Sequence, residues 1–184
     1  MTEILIIFSR YPEAGKTKTR MIPALGTEGA AELQRQMTEH TLATAIALRS
    51  SRKVAIAIHF AGGELSLMQE WLGADLNYMP QVAGDLGKKM QSAFDLAFAA
   101  GNQRIVIIGT DCPDLDQTIL TKAFNSLQHH DLVLGVAEDA ALVTAKSQAE
   151  LVKAAERSLA GTLGRGAARG ATEMPVEVAQ QVLE

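Results

Sequence analysis

The stretch "ILIIFSRYPEAGKTKTR", residues 4–20, joins a strongly apolar segment to a strongly basic one. Its first five residues form a continuous apolar run rich in β-branched side chains, which is typical of a strand buried on both faces. Residues 10–20, the basic loop, carry four basic side chains against the single acid Glu13, so the loop is net +3 in a chain of formal charge −4. The loop is therefore either a local anion site or an ordinary solvated loop.

Composition limits the class of protein. The chain has 184 residues, which suffices for one well-buried domain and is short for two. Its content of 47% hydrophobic and 21% charged residues is typical of a globular protein, and its net negative charge argues against a general nucleic-acid binder. The single cysteine, Cys112, excludes an intrachain disulfide and a multi-cysteine zinc site, and it is consistent with a reducing compartment.

The first ten residues do not resemble a signal peptide, because their apolar run is too short and an acid precedes it. No apolar run approaches the roughly 18 residues of a membrane span. We therefore expect a cytoplasmic protein with neither a membrane nor a nucleic acid as partner. The sequence leaves a homodimer open.

Apolar runs alternate with amphipathic segments along most of the chain. The pattern predicts strands over 4–8, 53–61, 104–109 and 131–137, with a weak edge strand over 76–81. It predicts helices over 26–51, 64–72, 84–101 and 116–128. This alternation indicates an α/β fold with a mainly parallel sheet covered on both faces. Ligands of such sheets bind beyond the carboxyl ends of the strands, which would bring loops 10–20, 110–116 and 138–141 to one rim.

The letters "AGKT" within the basic loop suggest a P-loop, a reading that predicts nucleotide hydrolysis dependent on Lys16 and Thr17. The spacing argues against it, because Arg10 stands where that motif needs its first glycine and Pro23 would break the helix that should follow. An open phosphate loop is the alternative. Gly15 would let the backbone approach an anion, and an extended "TKT" would direct alternate basic side chains to one side: Lys16, Lys18 and Arg20.

The segment "IVIIGTDCPDLD" places Asp111 just beyond a buried strand, where a carboxylate suits Mg²⁺ shared with substrate phosphates. An ordinary turn aspartate is the alternative. Asp114 and Asp116 are candidates for supporting roles, although Asp116 is better placed as a helix cap. Cys112 is more typical of a small buried side chain than of a nucleophile.

The segment "GDLGKKM" contains Gly84, Asp85 and Gly87 at a helix start, where the helix N-terminus would approach a ligand. Simple helix initiation with a capping aspartate explains the same letters equally well. His40 and His59 fall in a helix and a strand and are interpreted as structural, and Trp71 as a core anchor.

Taken in order, "FSRYPEAGKTKTR", "GDLGKKM" and "IGTDCPDL" resemble three signatures of a bacterial family of glycosyltransferase-A-type proteins. The family is distantly similar to the guanylyltransferases of molybdenum cofactor and of 2-phospho-lactate. The resemblance implies a three-layer, Rossmann-like nucleotide-diphospho-sugar-transferase fold. It implies phosphate contacts by four basic residues, Arg10, Lys16, Lys18 and Arg20, beside which Gly15 stays a phosphate-binding candidate for the backbone reason given above. It further implies a Mg²⁺ or Mn²⁺ ion on Asp111, and a nucleotide or acceptor bordered by Gly84, Asp85 and Gly87.

The resemblance covers residues 1–139 of a single domain, and the chain departs from the family pattern after Asp139. Asp139 is a candidate for a second metal contact. Residues 140–184 form an alanine- and glycine-rich tail with a predicted helix over 147–159.

The resemblance therefore implies a Mg²⁺-dependent transferase whose donor is a nucleotide sugar or a nucleoside triphosphate. Lys18, Arg20 and Asp111 are the expected catalytic residues, because each would stabilise a departing diphosphate. The alternative is a non-catalytic nucleotide-binding or scaffold protein whose acceptor site has been lost after Asp139.

Overall fold

The computed structural model describes residues 2–135 and 142–145. The strands are β1 (Glu3–Arg10), β2 (Ala55–Ala61), β3 (Asn77–Pro80), β4 (Arg104–Ile108), β5 (Leu132–Gly135) and β6 (Leu142–Ala145). The α-helices are α1 (Ile22–Ser51), α2 (Leu65–Leu72), α3 (Leu86–Ala99) and α4 (Gln117–Ser126), and a short 3-10 helix spans Thr19–Met21. Among these helices none has both the length and the apolar character that crossing a bilayer requires.

The strands form one sheet in the order β3-β2-β1-β4-β6-β5. The first four are parallel, whereas β6 runs antiparallel to both β4 and β5. The predicted α/β fold with a mainly parallel sheet is therefore confirmed, including β3 as a short edge strand.

The far end of the sheet differs from the sequence prediction. The strand predicted over 131–137 is present as β5, but the sequence did not predict that β5 pairs with β6 and is separated from β4 by it. β6 belongs to the tail that was predicted to be helical. Its four residues are too few to show the alternation of apolar and polar side chains that would predict a strand. The helix predicted over 147–159 lies outside the described residues.

Two apolar cores cover the two faces of the sheet. Leu5 and Ile7 of β1 join the larger core, which contains buried residues of α1, α2 and α4. Ile6 points to the other face and joins the smaller core with α3. Successive strand residues point to opposite faces, so a strand covered on both sides needs the unbroken apolar run seen at residues 4–8.

Helix α1 begins earlier than predicted, and a kink interrupts it. Pro23 lies in its first turn, where a missing backbone N–H costs nothing. Gly26 then adopts a left-handed φ of 73° that breaks the helical path before the long regular part.

His59 lies buried in β2, stacked on Phe8 with ring centroids 5.7 Å apart. Burial lowers the pKa of His59 from 6.5 to about 4. In this pH range the unfolded chain binds the proton more readily, so folding stability is complete above pH 6.5 and falls as the pH drops towards 4.

We expect this single group to remove about 3 kcal/mol of unfolding free energy between pH 6.5 and 4. Urea unfolding of His59→Leu should show a flatter stability profile over that interval than the unmutated chain. Equal slopes for the two proteins would contradict the assignment. His129→Leu serves as the matched control, because His129 is exposed.

Candidate functional site

The loops that follow β1, β2, β3 and β4 all leave the sheet at its carboxyl edge, because these four strands are parallel. The basic loop (residues 10–20) and the aspartate loop (residues 109–116) follow the two central neighbours, β1 and β4. Their predicted convergence is therefore a consequence of the topology. The third predicted loop, 138–141, and with it Asp139, lies outside the described residues.

An ion pair joins the two loops. Lys18 Nζ lies 2.8 Å from Asp111 Oδ1, although 93 positions separate the residues in sequence. The Lys18 side chain is 14% exposed, whereas that of Asp111 is 58% exposed. The Lys18 side chain is thus largely buried, whereas the Asp111 carboxylate remains exposed to solvent.

The basic loop is not extended, so the condition under which its basic side chains would alternate onto one side is not met. The amides of Lys16 and Thr17 donate to the carbonyl of Glu13, which closes a turn, and Gly15 takes the left-handed φ of 77° that this turn needs. Lys18 is also left-handed, at φ 43°. A compact turn satisfies backbone groups that an extended loop would leave to solvent.

The turn separates the four basic residues. Lys16 is largely exposed, and its Nζ lies 2.7 Å from Glu13 Oε1. Arg10 Nη1 donates to the carbonyl of Lys16 at 3.4 Å. Arg20 lies exposed in the 3-10 helix, and its side chain makes no hydrogen bond or ion pair with the described residues. Only Lys18 of the four contacts Asp111 within the described part of the chain.

The segment with Gly84, Asp85 and Gly87 behaves as a helix start. Asp85 caps α3, because its side chain accepts a hydrogen bond of 2.8 Å from the amide of Lys88. Gly84 has φ 132°, and a Cβ there would lie 2.8 Å from Lys88 Cδ. The segment follows β3 at the carboxyl edge, but no hydrogen bond or ion pair among the described residues connects it to Lys18 or Asp111.

The rest of the aspartate loop is also accounted for by local structure. Asp116 caps α4 by accepting a hydrogen bond of 2.8 Å from the amide of Ile119, so its interpretation as a cap is confirmed. Asp114 is exposed and Cys112 is partly buried. Asp111 is therefore the aspartate of this loop that contacts the basic loop.

Thr110, the neighbour of Asp111 in the chain, belongs to a buried chain of polar side chains that was not predicted from the sequence. Gln34 Nε2 on α1 donates to Thr110 Oγ1 at 3.2 Å and to Thr38 Oγ1 at 3.0 Å. Thr38 shares a hydrogen bond of 3.1 Å with Ser9 Oγ at the end of β1.

His40 Nε2, also on α1, lies 3.0 Å from the carbonyl oxygen of Pro113. Helix α1 thus holds both strand ends, and polar residues on its buried face were the available signal.

We expect Gln34→Met to lower the unfolding free energy by about 1–3 kcal/mol, because Thr110 and Thr38 would each lose a buried donor. Chemical denaturation measures the loss. Gln36→Met is the control on the same helix, since Gln36 is exposed and, within the described part of the chain, its side chain donates only to the exposed Glu32. Equal destabilisation of the two variants would show that the buried chain contributes nothing specific.

Trp71 lies at the margin of the larger core and not inside it. Its ring meets Tyr11 edge-on with centroids 6.0 Å apart, and Arg35 lies over it at 5.3 Å. Trp71 Nε1 donates to Glu39 Oε1 at 2.7 Å. Gly63, at φ 66°, leaves room for Tyr11, because a Cβ there would lie 2.7 Å from the ring. These contacts anchor the start of the basic loop.

The side chains at the Lys18–Asp111 pair could bind a hard cation such as Mg²⁺ only if phosphate or water supplied the other ligands. The described residues contain no group of three or more His, Cys, Asp or Glu able to hold a metal ion by themselves. Mg²⁺ commonly uses one or two carboxylates and takes its remaining oxygens from phosphates and water. Asp111 would fit as such a single carboxylate ligand.

The sequence profile of a family described as "Uncharacterized protein conserved in bacteria (DUF2064)" matches residues 41–155. The match covers more than half of the chain. The chain belongs to the DUF2064 family. The matched range includes Asp111 and the 84–87 segment, extends past Asp139, and begins after the basic loop. No curated protein shows significant sequence similarity to this DUF2064 chain.

Solved structures agree with the fold of this family member. A candidate nucleotide-diphospho-sugar transferase from Desulfovibrio desulfuricans G20 is similar at 31% identity and a TM-score of 0.72, over 79% of this chain and 64% of that one. A cytidylyltransferase from Leptospira borgpetersenii has 13% identity and a TM-score of 0.50, over 85% and 65%. The 4-diphosphocytidyl-2C-methyl-D-erythritol synthase of Anaerococcus prevotii DSM 20548 has 11% identity and a TM-score of 0.55, over 99% and 82%.

The chain thus spans slightly less than two thirds of the length of the first two structures. The predicted nucleotide-diphospho-sugar-transferase fold is confirmed.

Proposed function

We propose that this protein is a Mg²⁺- or Mn²⁺-dependent transferase whose donor is a nucleotide sugar or a nucleoside triphosphate. The observation that carries the proposal is the Lys18–Asp111 ion pair at the carboxyl edge of the sheet. It brings a cation suited to phosphate within one hydrogen bond of a carboxylate suited to a metal ion. The similarity to a candidate nucleotide-diphospho-sugar transferase supports the same reaction class.

The charge distribution suits a diphosphate leaving group. Glycosyl transfer expels a nucleoside diphosphate and nucleotidyl transfer expels pyrophosphate, so negative charge grows on phosphate oxygens in both reactions. Lys18 and Arg20 would donate to those oxygens as the charge develops, which is the form of stabilisation that contributes most to catalysis. Arg10 and Lys16 belong to the same basic loop and would add to its attraction for the incoming anion.

Asp111 would hold the divalent cation, which when bound would neutralise phosphate charge and polarise the phosphoryl oxygens. The chain itself would fix the position of Asp111 through Thr110, whose hydroxyl accepts from Gln34. His40 would hold the far side of the same loop at Pro113. This support matters because catalysis depends on placing charged groups before the reaction begins.

A non-catalytic nucleotide-binding protein is the second candidate. One observation favours it: among the described residues, Asp111 is the only acid or histidine that forms an ion pair or hydrogen bond with Lys18. If Asp111 holds the metal ion, no general base among these residues is left in contact with Lys18. Such a protein would bind the same ligands without turning them over.

Calorimetry on the full chain tests the proposal with a panel of nucleoside triphosphates and nucleotide sugars, each with and without Mg²⁺. Saturable binding that Mg²⁺ strengthens is the expected result, and the preferred ligand would identify the reaction class. Failure of every ligand to bind would overturn the proposal. Binding without pyrophosphate or nucleoside diphosphate release, across an acceptor panel of sugars, sugar phosphates and alcohols, would favour the non-catalytic candidate.

A further inference from the structure

Lys18 occupies one of the two carboxylate oxygens that Asp111 could offer to a metal ion. Its Nζ donates to Asp111 Oδ1 at 2.8 Å, and Asp111 is the only carboxylate that contacts it within the described residues. One ammonium already balances the charge of one carboxylate. A divalent cation approaching Asp111 would meet a like charge within contact distance and would have to displace it.

The backbone around Lys18 is held in a costly arrangement. Lys18 is the only non-glycine residue with positive φ among the described residues, at 43°. Side chains with a Cβ are disfavoured in this region, so such a conformation persists only where surrounding contacts enforce it. The contact with Asp111 is the side-chain interaction available to enforce it.

The neighbouring residue carries a second cost. Thr17 is 1% exposed, and its hydroxyl has no hydrogen-bond partner among the described residues. A buried hydroxyl without a partner is unfavourable and would gain from any rearrangement that offers it one. Two unfavourable features thus lie side by side in the turn that delivers Lys18 to Asp111.

We propose that Lys18 holds the place of the divalent cation on Asp111 until a phosphate ligand arrives. The phosphate oxygens then take over the Lys18 ammonium, the turn at Thr17 and Lys18 relaxes, and the freed Asp111 oxygen receives the metal ion. Metal and phosphate therefore enter together, and Asp111 binds metal poorly without phosphate. This inference rests on the proposed function, because it takes Asp111 as the metal ligand.

The test follows Mn²⁺ at Asp111 by paramagnetic broadening of amide signals in the ¹⁵N-labelled full chain without nucleotide. In the unmutated protein, the amides of residues 109–112 should show little selective broadening. In Lys18→Met, selective broadening should appear at Mn²⁺ concentrations at least about tenfold lower, because both the competing contact and the like-charge repulsion are gone. Adding Asp111→Asn to that variant should abolish it.

A second variant guards against poor folding. Lys18→Asn suits the left-handed conformation better than lysine, and its side chain is too short to replace the ammonium contact. It should broaden the same amides as Lys18→Met. Lys53→Met is the charge-matched control, since Lys53 is exposed and precedes β2 at the opposite edge of the sheet. It should behave like the unmutated chain.

Inorganic pyrophosphate, added to the unmutated chain, should bring its Mn²⁺ response at residues 109–112 to at least that of Lys18→Met. Identical Mn²⁺ titrations for the unmutated chain and both Lys18 variants would overturn the inference, even if nucleotides bind with Mg²⁺ as proposed. Conversely, a gain of Mn²⁺ binding in the variants would support the competition between Lys18 and metal, even if no nucleotide or nucleotide sugar binds. The two failures are therefore distinguishable.

Discussion

Asp111→Asn is expected to remove the Mg²⁺ dependence of nucleotide binding while leaving the fold intact. The amide keeps the shape of the side chain but loses the charge that attracts a divalent cation. A charge-assisted contact is worth about 1.5–3 kcal/mol, so affinity in the presence of Mg²⁺ should fall by about 10- to 150-fold. Affinity without Mg²⁺ should hold or improve, because Lys18 is released for the phosphates. Calorimetric titrations of the preferred nucleotide, with and without Mg²⁺, measure both effects.

Asp75→Asn is the matched control for this experiment. Asp75 is exposed and precedes β3 at the amino edge of the sheet, so the same chemical change there should leave both affinities unaltered. Unfolding measurements should show a loss of no more than about 1 kcal/mol for Asp111→Asn, because the Lys18 contact is partly exposed. If the variant retains its Mg²⁺ response, Asp111 is not the metal ligand.

The central strands β1 and β4, and the two loops that follow them, could be predicted because the patterns that mark them lie within short segments of sequence. The unbroken apolar runs at residues 4–8 and 104–109 predict strands that are buried on both faces. Parallel pairing of these two strands then fixes which loops are neighbours. The resulting proximity of the basic loop and Asp111 requires only topology, and no knowledge of either loop's conformation.

The conformation of the basic loop was not predictable in the same way. Alternation of side chains holds only for extended backbone, and the turn closed by Glu13 removes that condition. The partner that selects Lys18 over Lys16 lies 93 positions away. Spacing within the loop carries no information about such a distant contact.

β6 and the buried polar chain were missed for related reasons. Four residues, 142–145, are too few to establish a period, and their place in the sheet depends on pairing with β4 and β5. Gln34, Thr38 and Thr41 are polar residues on the buried face of α1. Their periodic spacing is a weak signal in the sequence, and the buried partners of Gln34 and Thr38 are what distinguish these two from surface residues. Long-range pairing decides both cases.

Glu3→Gln is expected to cost about 3–5 kcal/mol of unfolding free energy, because it leaves two arginines facing a neutral amide in a buried site. Glu3 is 7% exposed and lies at the start of β1. Its Oε1 accepts from Arg52 Nη2 at 2.8 Å and from Arg104 Nη1 at 2.7 Å, and its Oε2 accepts from Arg52 Nε. This cluster joins β1, β4 and the end of α1 at the amino edge, opposite the site.

Equilibrium denaturation at neutral pH measures the loss, with Glu70→Gln as control. Glu70 is exposed on α2, so the same substitution there should change stability by less than about 0.5 kcal/mol. Nucleotide affinity of folded Glu3→Gln should equal that of the unmutated chain, because the cluster lies at the far edge from Asp111. A loss no larger than that of Glu70→Gln would mean that the cluster does not stabilise the fold.

The pH dependence of stability separates Glu3 from His59. Burial raises the pKa of Glu3, but hydrogen bonds from Arg52 and Arg104 and their charges outweigh it and hold the pKa below 4.5. A carboxyl group with a lowered pKa stabilises the fold above its unfolded value, and that contribution disappears as the pH falls through the folded value. Glu3→Gln should therefore flatten the stability profile below about pH 4.5, whereas His59→Leu should flatten it between 6.5 and 4. Because the windows differ, the two variants would show which buried group causes the loss of stability in each range.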